Sequence, residues 1–168
     1  IRSFPKADLH NHFVLGGSRE YIFSKTGYKI ESIATALKSM SEMDAWSSKY
    51  IGSRFNSPEG RKLLIAATFE QAKSDGVTVL EIGEDVWGLG EFFDNDIEKL
   101  IFSFQEANAV IAPEIELRLQ MGISRHCPVD YLMNCLSHFW GHKEFYSIDL
   151  YGDELAQPIE NFIPIYDK

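Results

Sequence analysis

Apolar residues along this chain follow two alternating rhythms. Four short segments, Ala7 to Val14, Val77 to Val86, Ile115 to Ser124 and Tyr146 to Leu150, carry alternating or continuous apolar residues over lengths suited to β-strands. Helical spacing takes over between them. From Pro58 and Glu59 through Lys73, the residues Leu63, Leu64, Ala67, Phe69 and Ala72 form a broad apolar stripe, which Asp75-Gly76 closes. Asp94 is placed to cap a second helix carrying Ile97, Leu100, Ile101, Phe104 and Ala107, which ends before Pro113. Pro128 opens a third through Tyr131, Leu132, Cys135, Leu136 and Phe139, and Pro158 opens a fourth. The long connection after the first strand holds a further helical stretch from Ile33 to Tyr50.

Strand followed by helix, four times over, implies parallel strands joined by right-handed crossovers. The pattern therefore predicts an α/β fold of parallel (β/α) units in one domain spanning residues 1–168, with no internal repeat, linker or low-complexity tract. A closed TIM-type barrel needs eight such units and about 250 residues. Four units fit either the N-terminal half of such a barrel or a small open sheet, and periodicity alone does not separate the two.

Composition narrows the function classes. With 16 Lys and Arg against 25 Asp and Glu, the net charge of −9 repels phosphate backbones and argues against a nucleic-acid partner, though not against a small nucleoside. No run approaches the roughly 18 apolar residues that span a bilayer, and Ile1-Arg2-Ser3-Phe4-Pro5 lacks the apolar centre of a secretory signal. No membrane association is expected. Cys127 and Cys135 are too few for a disulfide framework, which points to a reducing, cytoplasmic setting. The first residue is not Met, so a processed or truncated chain is expected. Gly88-Leu89-Gly90 lacks the third glycine of a dinucleotide loop, and no Ser or Cys nucleophile motif is present. Trp46, Trp87 and Trp140 read as packing residues.

The chemistry concentrates near the start. His10 and His12 stand two apart in Asp8-Leu9-His10-Asn11-His12-Phe13, a spacing that places both imidazoles on one face of a strand, within reach of a single cation. At the C-terminal end of a parallel barrel strand, that face is the mouth where catalytic groups collect. Imidazole suits zinc, and a catalytic zinc keeps a position free for water. His126, His138 and His142 have no carboxylate or cysteine at ligand spacing and read as surface or capping residues.

Phe4-Pro5-Lys6-Ala7-Asp8-Leu9-His10-Asn11-His12 resembles the opening of the adenosine deaminase family of metal-dependent amidohydrolases. A phosphoesterase family of the polymerase-and-histidinol-phosphatase type also opens with Asp-Leu-His-x-His. The second segment, Ser147-Ile148-Asp149-Leu150-Tyr151-Gly152-Asp153-Glu154, is similar to the deaminase motif that closes the fourth strand. Two motifs in the right order on the right strands favour the deaminase family over the whole chain. The resemblance implies the N-terminal half of a TIM-type barrel, one zinc held by His10 and His12, a purine bound with help from the Gly152 backbone N–H, and hydrolytic deamination by metal-activated water. It also implies that the remaining metal ligands and the proton shuttle lie beyond Lys168. The isolated chain is then expected to be inactive, and to self-associate or pair with a C-terminal half.

Three departures qualify the resemblance. Phe13-Val14-Leu15-Gly16-Gly17-Ser18 lacks the acid that typically follows the second histidine and reads the ribose, so sugar recognition is expected to be relaxed. Tyr151 replaces a small alanine and either narrows the pocket or packs outward. Glu81 and Asp85 at the end of the second strand either face the mouth or are solvated loop carboxylates. A phosphoesterase and a catalytically inactive half-barrel binding module are the competing readings.

Overall fold

The computed structural model describes residues 4–167; Ile1-Arg2-Ser3, part of the opening scanned for a secretory signal, lies outside them. Strands β1 (Lys6–Asn11), β2 (Val77–Ile82), β3 (Glu116–Ser124) and β4 (Phe145–Tyr151) form a sheet in the order β1-β2-β3-β4, with every neighbouring pair parallel. Helices α1 (Phe13–Gly16), α2 (Arg19–Thr26), α3 (Met40–Tyr50), α4 (Gly52–Phe55) and α5 (Pro58–Asp75) connect β1 to β2. Helices α6 (Gly88–Phe92) and α7 (Ile97–Ile111) connect β2 to β3, and α8 (Val129–Leu136) connects β3 to β4. A 3-10 turn at Ile159–Phe162 and α9 (Ile163–Tyr166) follow β4.

The crossover helices cover one face of the sheet. Leu80 and Ile82 of β2 and Leu119 and Ile123 of β3 are buried in one core with Leu64, Ile65 and Phe69 of α5 and Leu100 and Phe104 of α7. Each such side chain contributes about 1.5–3 kcal/mol on burial. Helix α5 begins where Ser57 accepts a hydrogen bond from the Gly60 N–H at 3.0 Å with Pro58 in the first turn, and ends at Gly76 in the left-handed conformation.

The opposite face is concave. β1 and β4 are the two edges of the sheet, yet the His10 Nε2 atom of β1 lies 3.0 Å from the Asp149 Oδ2 atom of β4. A flat sheet would hold strands three places apart at about 14 Å, so the sheet is curled into half of a barrel and the small open sheet is excluded. Two glycines, Gly83 just past the end of β2 and Gly122 on β3, stand at close approaches along this face. A Cβ on Gly83 would fall 1.6 Å from the Gln120 carbonyl oxygen, and one on Gly122 would fall 2.6 Å from the Asp85 Oδ1 atom. Gly122 is in register with Asp149, so at the level where the edge side chains meet, the Asp85 carboxyl takes the place of a side chain on β3.

Several expected boundaries shift for local reasons. β1 stops at Asn11 rather than Val14, because Phe13 turns into α1 and buries its ring edge-on to Phe104 at 5.7 Å between centroids. β2 ends at Ile82 rather than Val86. The expected helix from Ile33 forms only from Met40, where the Ser39 hydroxyl accepts the Glu42 N–H at 3.2 Å and the Glu42 carboxylate accepts the Lys38 N–H at 2.7 Å. Asp94 does not cap α7; Asp96 does, accepting from the N–H groups of Glu98 and Lys99. Asp94 sits at φ +57 and pairs with Lys99 instead. Among the described residues no helix is long and apolar enough to cross a membrane.

Gly83→Ala is expected to cost about 3 kcal/mol, since its methyl meets backbone rather than a side chain that can swing away. Urea unfolding of the variant tests this, and a midpoint equal to wild type would contradict the close approach.

Candidate metal centre

The centre is built at the C-terminal ends of the strands. An irregularity in the β1–β2 pairing between Asp8 and Asn11 lets those two side chains hydrogen-bond to each other at 2.7 Å, while His10 and His12 turn to the concave face. There the two Nε2 atoms lie 2.8 Å apart, a separation that needs a proton or a cation between two ring nitrogens. The alternation that pairs the histidines also pairs Asp149 with Tyr151 on β4, and Asp149 completes a cluster whose three ligand atoms lie within 4.8 Å of one another.

The donor set fits a divalent metal. Asp149 Oδ2 is 3.0 Å from His10 Nε2 and 3.3 Å from His12 Nε2, yet it is a buried oxygen without a hydrogen-bond partner of adequate geometry. A buried carboxylate oxygen left in that state is costly unless a cation meets it. Two imidazoles and one carboxylate are a set that zinc accepts. The His10 side chain is 60% exposed, so the cluster is open to a ligand.

A cavity of about 620 Å³ opens onto the histidines and extends past Arg61, Glu84, Asp85, Tyr151 and Gly152, with Phe13, Val14 and Met40 as apolar wall. A larger recess of about 800 Å³ runs between Arg19, Phe23 and Lys29 and contains neither histidine, so size alone does not mark the site. Gly152 adopts φ +106 and presents main chain to the cavity, with the His126 ring against its other side.

The sequence alternatives at this end resolve individually. Tyr151 points inward: its ring stands edge-on to His12 with centroids 4.8 Å apart, and its hydroxyl meets the Asp85 carboxyl. Asp85 lines the cavity, whereas Glu81 lies one layer deeper, accepting a hydrogen bond from the Ser147 hydroxyl at 2.9 Å beside Arg118. His126 accepts the Asp153 N–H at 3.4 Å, His142 faces Glu98, and His138 is exposed, as surface and capping residues should be. Val14 and Leu15 line the cavity just after His12, where no acid stands. Asp149 was not singled out from the sequence, although the two-residue spacing that drew attention to the histidines applies to it equally. Arg61, near the start of α5, carried no local signal at all.

Electrostatics in the cavity wall are set by burial. Arg61 and Glu84 are 4% and 2% exposed and stand 3.6 Å apart, with the guanidinium 4.0 Å from the centre of the Phe92 ring. Burial pushes the Glu84 carboxyl up to about 8, against the pull of Arg61. Burial also raises Asp85, with the Tyr151 hydrogen bond and Arg61 opposing, and raises the Tyr151 hydroxyl, with the Asp85 charge adding to the effect.

A curated protein of Treponema pallidum named "Putative adenosine/adenine deaminase" is 24% identical over 165 residues, which cover 98% of this chain and 55% of that protein. The chain is similar to that protein over about half of the latter's length, a coverage that fits an N-terminal half. Among solved structures, an amidohydrolase from Burkholderia ambifaria with bound zinc superposes with a TM-score of 0.66 at 16% identity, over 99% of this chain and 49% of that one. The adenine deaminase of Arthrobacter aurescens gives 0.65 at 17% identity, over 96% and 53%. At these identities the superpositions speak for the amidohydrolase barrel fold. No family model matches the chain. The chain spans about half the length of the relatives it matches.

The raised Glu84 carboxyl has a measurable consequence. Between its unfolded value of 4.5 and its folded value of about 8, the folded state binds more protons than the unfolded one, so stability falls as pH rises through that window. Thermal midpoints taken from pH 5 to pH 8 should decline, and Glu84→Gln should flatten that part of the decline. An identical slope in the variant would show that Glu84 ionises normally.

Proposed function

We propose that this chain, residues 1–168, is the N-terminal half of a (β/α)8 barrel that deaminates adenosine or a related purine hydrolytically, with one zinc at His10, His12 and Asp149. The observation that carries the reading is the convergence of the three ligand atoms with Asp149 Oδ2 buried and unpartnered. Zinc bound there would supply water activated near neutral pH for attack at the amino-bearing ring carbon. The chain's own residues do the rest of the work on this side of the barrel. His10 and His12 present ring nitrogens from β1 and its end, and Asp149 presents a carboxylate from β4. Phe13, Val14 and Met40 offer a flat apolar wall that excludes water from one side of a purine ring. At Gly152 the absence of a side chain lets that ring approach the main chain, whose N–H donates to a ring nitrogen in the resemblance described above. The free thiols Cys127 and Cys135 support a cytoplasmic setting. The relatives, named as deaminases, speak for this reading over a phosphoesterase.

In the catalytically complete protein, His12→Ala is expected to lower kcat by at least about 10³-fold with loss of bound zinc, read by steady-state assay and metal analysis. Full turnover with metal retained would remove His12 from the ligand set. In the same assay, adenosine and its sugar-modified analogues should differ little, because Val14 and Leu15 stand where an acid would read the ribose. Strong discrimination against every modified sugar would count against that.

The remaining wall of the pocket belongs to a complementary half-barrel. Leu9 of β1 is 54% exposed and Tyr146 of β4 is 64% exposed, at edges that a closed barrel would pair on both sides. On its own the 168-residue chain should therefore self-associate, or bind a separately expressed C-terminal half. Light scattering that finds a lone, stable monomer indifferent to that half would overturn this.

A further inference from the structure

Tyr151 occupies a part of the cavity that nothing in the metal centre requires. From the end of β4 its side chain reaches across the mouth toward β2, with its ring edge-on to His12 at 4.8 Å and its hydroxyl among Asp85, Trp87 and Ser124. These neighbours come from the segment after β2 and from the end of β3, so the ring lies between two neighbouring strand ends. Asp85 itself has room only because Gly122 lacks a side chain, its Oδ1 lying 2.6 Å from where a Cβ would stand. Placed in this way the ring forms a wall of the cavity beside His12. The wall adjoins the nitrogen ligands, where the deaminase reading above puts the reacting carbon and its amine.

We propose that Tyr151, with its ring in the cavity wall beside His12, is a specificity-determining residue that restricts the pocket to substrates whose reacting amino group is unsubstituted. The inference rests on the deaminase reading above, and it adds a selection against secondary amines at the same carbon. A methyl group on the amine would have to share the space beside His12 that the Tyr151 ring fills. Steric exclusion of one methyl in a fitted pocket discriminates by roughly ten- to two-hundredfold. The aromatic ring supplies the exclusion, so removing the ring and removing only the hydroxyl separate by substitution.

The test compares adenosine with N6-methyladenosine in the zinc-loaded, catalytically complete protein, as the ratio of kcat/KM values for the two substrates. Wild type should prefer the primary amine, and Tyr151→Ala should shrink that preference at least about tenfold, whatever its effect on either substrate alone. Tyr151→Phe keeps the ring and should keep most of the preference. Dissociation constants for the same two nucleosides, read by fluorescence of Trp87 and its neighbours, should shift in the same direction. Zinc content equal to wild type shows that the cluster is intact. If Tyr151→Ala does not fold, Tyr151→Leu takes its place with the same expectation. An unchanged ratio in the folded variant, with adenosine still turned over, overturns the inference and leaves the deaminase reading standing. A wild type that neither turns over nor binds either nucleoside overturns both.

Discussion

Everything at the concave face depends on how closely the two edge strands can approach one another. His10 and Asp149 belong to strands separated by two others, and side chains on those two would ordinarily fill the space between. Gly122, and Gly83 just past the end of β2, put no side chain there: the Asp85 carboxyl takes the place over Gly122, and at Gly83 the Gln120 main chain stands so close that even a methyl would collide with it. The curl, the meeting of the three ligand atoms and the seat of the Asp85 carboxyl all follow from two missing side chains. The convex face imposes no comparable demand: there, ordinary apolar packing of α5 and α7 on β2 and β3 holds the sheet without special residues.

The electrostatics show the same division. On the concave face, charged and polar groups lie in layers: Glu81, Gln120 and Ser147 linked by hydrogen bonds below, the ligand cluster with Asp85 and Tyr151 above. Arg61 reaches this region from α5 and stands between Glu84 and the rings of Phe13 and Phe92, a buried cation beside a carboxyl that burial keeps reluctant to ionise. Such a pair adds little net stability relative to an apolar substitute, but removing one member leaves the other stranded. It fixes the helix that carries Arg61 to the loop that carries Asp85.

The alternation of strands and helices was legible because each element buries one face, and burial writes itself into spacing. Half-barrel curvature was not: periodicity is blind to how neighbouring strands lean, and only the deaminase resemblance favoured it before the contact between His10 and Asp149 decided it. The histidine pair could be read from its two-residue spacing. Asp149 carried the same signal in weaker form, since an isolated aspartate near a strand end is common and its importance comes from what faces it across the sheet. Asp94 and Asp96 show the limit of capping rules. Both precede the apolar stripe of α7, and the choice fell to Asp96 because Asp94 and Asn95 turn into the left-handed region, leaving Asp96 with the extended backbone a cap needs.

The order of strands in the sheet repeats their order in the chain, so each strand pairs only with the one made just before or just after it. A polypeptide built this way can add one strand and helix at a time as it leaves the ribosome, each new unit docking on a surface already present. The ligand cluster is the exception, since it joins β1 and its end to β4 across two intervening strands. Until β4 has been synthesised and laid against β3, His10 and His12 have no carboxylate opposite them. Tight capture of a cation therefore waits for β4, and an ion held by all three side chains reports that β4 has reached its place beside β3.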